Sequence, residues 1–169
     1  GGTCAAAGCS VAEIETETTT NAVNGDIVTV PGTVAVPCTS TWNGSPSAGN
    51  QLAITKGITL TALNPCTLNG AGIPTACAVI ITDGTTGGTS NDQLLRWTCA
   101  AGQYHELSEF KFTGARATIG NDGVIQFDCL NTTTTRVSVA RNMIVDMNNN
   151  KLIVANNVIG VAHHNYIHE

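Results

Sequence analysis

The chain has 169 residues, of which 11% are charged, with 7 Lys plus Arg against 12 Asp plus Glu and a net charge of −5. The few cations are scattered, so no basic stripe neutralises phosphates or lipid headgroups, and nucleic acid is excluded as a leading partner. Membrane insertion is excluded too, since no apolar run approaches the roughly 18 residues of a spanning helix, and the length suits a single domain, 1–169, with a real core.

The chain opens GGTCAAAGCS, without Met, as a processed start would, and residues 1–9 read as a small-residue tail. Next, SVAEIETETTTNAV places Glu13 three residues after Ser10. That is the spacing at which each side chain satisfies the other's free backbone N–H at a helix start. A short capping helix is expected within 10–22. Branching at Cβ makes the Thr run 18–20 a poor helix former, so the helix should fray by Thr19.

From residue 25 the texture changes. DIVTV, TVAV, QLAIT, GITLTAL, AVIIT, QLLRWTC, HELSEFKF, GVIQFDC, TRVSVARNMIV, KLIVANN and VIGVAHHNYI are strand-length segments punctuated by Gly, Asn, Pro or Thr. Scarce aromatics (4%) and abundant β-branched residues also point to an all-β chain. Internal repeats discriminate among sandwich, barrel and solenoid. Stacking LLRWTC, VIQFDC and LIVANN aligns Leu95, Ile125 and Ile153, then Trp97, Phe127 and Ala155. Stacking LSEFKF, VARNMI and AHHNYI aligns Leu107, Val139 and Ala162, then Phe110, Asn142 and Asn165, then Phe112, Ile144 and Ile167. Two strand types alternating in order, with insertions only between them, are the mark of a parallel β-solenoid occupying 25–169. The columns Leu95/Ile125/Ile153 and Phe112/Ile144/Ile167 should therefore be buried.

The run CSVAEI…AVNGDIVTVPGTV…CTSTW…NQLAITKGITLTAL, with the ending GVAHHNYI, closely resembles secreted bacterial proteins having the right-handed parallel β-helix of the pectate lyase type. The resemblance implies that fold, an extracellular location and a polysaccharide or surface glycan as partner. PGTVAVPC and TALNP depart from the family's PAG and TGAG phrases, and the chain stops where related chains continue through further rungs. No cofactor is expected, and Ca²⁺ enters only if the chain is a lyase.

Within the stacked frame, the outward residues Arg96, Gln126, Asp128 and Asn156 form the candidate glycan surface, because amides and a guanidinium suit hydroxyl and carboxylate recognition. One acid is too little for a Ca²⁺ site, and no cluster of two or three carboxylates marks a hydrolase. No metal site is expected. Asn142 and Asn165 read as a hydrogen-bonded ladder at a turn. Glu109, Arg141 and His164 share a column and form a candidate ionic ladder. His163 and His164, adjacent on a strand, should point to opposite faces unless a turn falls there.

Seven cysteines (Cys4, Cys9, Cys38, Cys66, Cys77, Cys99 and Cys129) without CxxC pairs or zinc spacing indicate disulfides and an oxidising compartment. Cys66 and Cys77 flank the turn-rich TLNGAGIPTA and should be bonded. A Cys9–Cys38 bond would pin the cap. Cys99 and Cys129 share a column on successive rungs, either bonded or stacked as reduced thiols. Cys4 is left over.

Three function classes remain: a carbohydrate-active lyase or hydrolase-like protein, a non-catalytic glycan-binding adhesin, and a structural, filament or phage-tail-like component. The last would associate end to end through an open C-terminal rung, whose unpaired strand edges another chain can continue.

Overall fold

The computed structural model describes residues 3–5, 8–44, 51–86, 92–99, 101–114, 124–129, 135–147, 153–156 and 158–168. The protein is mostly β, with little helix. Sheet A contains β1 (Thr3–Ala5), β2 (Ile27–Val30), β5 (Thr59–Ala62), β10 (Tyr104–Ser108), β13 (Arg136–Ala140) and β16 (Ile159–His163), in that spatial order. Sheet B runs β3 (Cys38–Trp42), β8 (Val79–Asp83), β11 (Phe110–Thr113), β14 (Met143–Val145) and β17 (Tyr166–His168). Sheet C runs β4 (Leu52–Ile54), β9 (Leu95–Thr98), β12 (Ile125–Asp128) and β15 (Ile153–Asn156). All pairings within these three sheets are parallel. From β2 onward the chain visits A, B and C in the same repeating order, and an antiparallel hairpin of β6 (Thr67–Leu68) and β7 (Pro74–Ala76) interrupts it between β5 and β8.

Register places like residues on like. Val28, Leu60, Leu107 and Val139 stack along sheet A, and Leu52, Leu95 and Ile125 along sheet C. All are buried, as are Trp97 and Phe127, whose rings stack at 5.4 Å. Burial of each such side chain contributes about 1.5 to 3 kcal/mol. The alternation of buried with half-buried or exposed positions along β4, β5, β9 and β12 follows from side chains pointing to opposite faces of a pleated strand.

The cap starts as its sequence predicts. Ser10 Oγ accepts the Glu13 N–H at 3.3 Å, while Glu13 Oε2 accepts the Ser10 N–H at 3.2 Å. The α-helix Val11–Glu15 buries Val11 and Ile14 and packs on β4. It does not fray at Thr19. A π-helical segment, Thr16–Asn21, continues it, and the Thr16 and Thr18 hydroxyls donate to the carbonyls of Ala12 and Ile14, both at 2.8 Å. Back-bonding hydroxyls of this kind satisfy carbonyls four residues earlier and relax the α geometry, which propensity alone does not anticipate.

Other expectations are corrected. Residues 1–9 are not only a tail, because β1 pairs with β2. TVAV is a bend with Val34 and Val36 exposed, since the following CTSTW supplies the strand in sheet B. TLNGAGIPTA is a hairpin, not a plain loop. Of the two columns expected to be buried, Leu95, Ile125, Phe112 and Ile144 are fully buried, Ile153 is half-buried and Ile167 is 52% exposed. Ile153 and Ile167 lie on the last strands of sheets C and B, β15 and β17, so a neighbour covers each on one side only.

The disulfides pair Cys9 with Cys38, Cys66 with Cys77 and Cys99 with Cys129, at Cα separations of 6.1, 4.1 and 4.7 Å. The first joins the cap to β3, beside the Trp42 indole N–H that donates to the Cys9 carbonyl at 3.1 Å. Such bonds fit an oxidising environment.

Candidate functional site

The outer face of sheet C carries one connected set of polar side chains. Gln51 Nε2 donates to Gln93 Oε1 at 2.9 Å, Gln93 Nε2 to Gln126 Oε1 at 3.1 Å, and Gln126 Nε2 to Asp128 Oδ1 at 2.8 Å. Asn156 Nδ2 donates to the same Oδ1 at 3.1 Å, and Arg96 Nε reaches diagonally to Asp128 Oδ2 at 2.9 Å. Every donor in this relay points toward the carboxylate. Each amide's orientation is thereby fixed by the next, and the chain of bonds is mutually polarising.

Burial pushes the Asp128 carboxyl up, but hydrogen bonds from Gln126, Asn156 and Arg96, with the Arg96 charge, outweigh it and hold the group below the ordinary carboxylate value. A carboxylate engaged at both oxygens and held ionised is a poor proton donor and a poor cation ligand. Its role here is to position Arg96, whose side chain is 43% exposed against 22% for Asp128. Arg96, Thr98, Gln126, Asp128, Ala155 and Asn156 line an open groove of about 630 Å³.

The four residues expected on this face, Arg96, Gln126, Asp128 and Asn156, are thus in one network. Gln51 and Gln93, both buried, were not anticipated as part of it. Their signal was the Gln-Leu phrase shared by 51–52 and 93–94. Leu94, an extra residue before the strand, obscured it by offsetting the phrase from the register in which Leu52 meets Leu95.

The corner between sheets A and B holds the second polar column. Glu109, Arg141 and His164 each occupy the first position after an A strand, where the chain turns toward a B strand, with φ of 69, 52 and 52°. Left-handed backbone at non-glycine residues is uncommon, and its recurrence at three equivalent places marks it as a property of the corner. Glu109 is buried. Its carboxylate takes the Arg141 guanidinium on one oxygen and the Cys66 N–H, at 2.7 Å, on the other. His164 does not extend this pair into a three-membered ladder. Its Nδ1 lies 2.9 Å from His163 Nδ1, and its ring edge sits against Gly72 at the tip of the β6–β7 hairpin. The two histidines face each other because the turn at His164 breaks the strand alternation.

Behind the corner, Asn142 donates to the carbonyls of Leu107 and Ala140, at 3.0 and 3.1 Å, and accepts the Phe110 N–H at 3.0 Å. Asn165 accepts the Asn142 N–H at 3.0 Å and donates to the Val139 carbonyl at 2.8 Å. His105 is fully buried on sheet A, edge-on to Trp97 with centroids 5.6 Å apart. Burial pushes its pKa down, against hydrogen bonds to the Arg136 and Gln103 carbonyls that favour the cation.

Among the described residues no group of three or more His, Cys, Asp or Glu is placed to hold a metal ion, and no helix is long and apolar enough to cross a membrane. Asp83 and Asp92 are buried, and Asp146 is exposed at a left-handed turn, while Asp122 lies outside the described residues. No family model matches the chain, and no significant match was found among curated proteins or solved structures.

Proposed function

We propose that the chain is a secreted, carbohydrate-associated right-handed parallel β-helix, and that the groove on sheet C binds an acidic or hydroxyl-rich polysaccharide. The fold reading is supported by the repeating A, B, C order of the parallel strands. The observation that carries the functional reading is the convergence of three side chains, Gln126, Asn156 and Arg96, on Asp128, backed by Gln93 and Gln51 behind Gln126, which holds a half-exposed guanidinium over an open groove. The terminal N–H groups of Arg96 are the donors assigned to a sugar carboxylate or hydroxyl, a role for which a planar fork is suited. Because both Asp128 oxygens are engaged, binding is favoured over lyase or hydrolase chemistry at this groove. Affinity electrophoresis against neutral and uronate-containing polysaccharides tests this. Retardation by uronates, lost in Arg96→Ala, is expected; a panel with no retardation, or retardation unchanged by the variant, overturns it.

A second reading, of a structural component that associates end to end, is favoured by Ile159, Val161 and Ile167, which are exposed by 56, 55 and 52% on the last strands of sheets A and B. Sedimentation velocity over a concentration series separates it from the first, since only an associating chain changes its sedimentation coefficient.

A further inference from the structure

Neighbouring residues of a strand normally point apart, yet His163 and His164 bring two imidazoles together at the corner. Their Nδ1 atoms are 2.9 Å apart and their rings are nearly perpendicular, at 89°. Three features hold the arrangement. The left-handed turn at His164 rotates its side chain back toward His163. Asn165, the next residue, is tied by its side chain to both the Asn142 N–H and the Val139 carbonyl. Finally, Gly72, at φ +76°, lies against the far edge of the His164 ring, where a Cβ would stand 3.1 Å from Cδ2. The rings are therefore held beside each other before anything binds. His163 is half-buried and His164 exposed, so the pair is open to solvent. The nearest charge along the corner column, Arg141, is neutralised by Glu109.

We propose that the Nδ1 atoms of His163 and His164 form a bidentate site for a divalent cation that prefers square-planar nitrogen ligation, copper(II) above all. Two nitrogens 2.9 Å apart, each about 2.0 Å from one ion, subtend about 90° at it, which is the cis angle of a square plane. Imidazole binding to divalent first-row ions follows the order in which Cu(II) ranks highest. Without metal, one Nδ1–H donates to the other Nδ1. On binding, that donor ring changes tautomer, its proton passing through solvent from Nδ1 to Nε2, and both lone pairs then face the ion. Water completes the coordination. Holding the two rings side by side lowers the ordering cost of chelation, each ring turning from the N–H···N line so that its lone pair meets the ion.

The test is titration of the full chain with Cu(II) alone, in a Cys4→Ser background that removes a competing thiol. Tight uptake of a single equivalent is expected, with an electron paramagnetic resonance signal of an axial ion bearing two imidazole nitrogens. His163→Gln and His164→Asn should each weaken binding by about tenfold or more, and Asn suits the left-handed position; His168→Gln should not change it. In the parent, copper should broaden the ring proton resonances of His163 and His164 first, a readout that needs no other variant to fold. No uptake, uptake unchanged in either pair variant, or broadening centred on another histidine overturns the proposal.

Discussion

The corner behind Asn142 and the groove beside Arg96 are both built by stacking polar side chains across adjacent strands, but they end differently. At the corner the bonds close on backbone and on a second asparagine: Asn142 is fully buried and bonded to the backbone of Phe110, Leu107 and Ala140 and to the Asn165 side chain. Along sheet C the relay begins at buried Gln51 and Gln93 and runs outward until it terminates at a carboxylate and a half-exposed guanidinium. A column that closes on itself supports the fold. One that terminates at solvent presents a group to something outside, and that contrast separates the structural asparagines from the candidate binding residues.

Breaking the corner has the largest expected consequence. Asn142→Ala leaves the Phe110 N–H without its partner and takes a donor from the Leu107 and Ala140 carbonyls, of which the second keeps the Glu109 N–H, and because an orphaned buried group costs about 1 to 3 kcal/mol, a loss of about 2 kcal/mol or more is expected in chemical denaturation. A loss under about 1 kcal/mol would mean that the column is not closed.

Breaking the groove should move binding far more than stability. Arg96→Ala removes a partly exposed ion pair, a class worth about 0 to 1 kcal/mol, and should leave the unfolding midpoint nearly unchanged while abolishing polysaccharide retention. Asp128→Asn keeps shape but releases Arg96, and should weaken retention by a smaller factor. Equal losses of stability in Arg96→Ala and Asn142→Ala would erase the distinction between the two columns.

Acid sharpens the same contrast more gently. His105 has its folded pKa below the ordinary 6.5, so the unfolded chain takes up the proton first. Its contribution is whole above that value and declines as pH falls through it toward the folded pKa. Asp128 also has a lowered folded pKa, below the ordinary 3.8, so the contribution of the groove is complete above that value and disappears only as pH falls through the still lower folded pKa. Urea denaturation from pH 8 to 3 should show the first decline in the parent and not in His105→Gln. The stability difference between the parent and Asp128→Asn should stay constant until the most acidic points, then narrow.

Much of this organisation was legible in the residues. The alignment of LLRWTC on VIQFDC follows from burial at every second position, and the structure pairs Leu95 with Ile125 and Trp97 with Phe127 in that register. Cys99 and Cys129 fall together for the same reason. The corner turn was harder to read, because Glu109, Arg141 and His164 adopt left-handed backbone without the Gly or Asn that usually announces it. The spacing of the strands also hid that His163 and His164 meet. The relay through Gln51 and Gln93 depends on a one-residue offset at Leu94, and the exposure of Ile167 depends on which strands have a neighbour on both sides. Both are tertiary facts with no local signature.

The central claim, that sheet C presents Arg96 to an acidic polysaccharide, is tested most directly by backbone amide chemical-shift mapping of the isotope-labelled chain during titration with an oligouronate. Shifts concentrated on Leu95–Thr98, Ile125–Asp128 and Ile153–Asn156, saturating together and absent in Arg96→Ala, are the predicted result. Saturable shifts centred instead on the outer face of sheet A or on the β6–β7 hairpin, with sheet C silent, would contradict it.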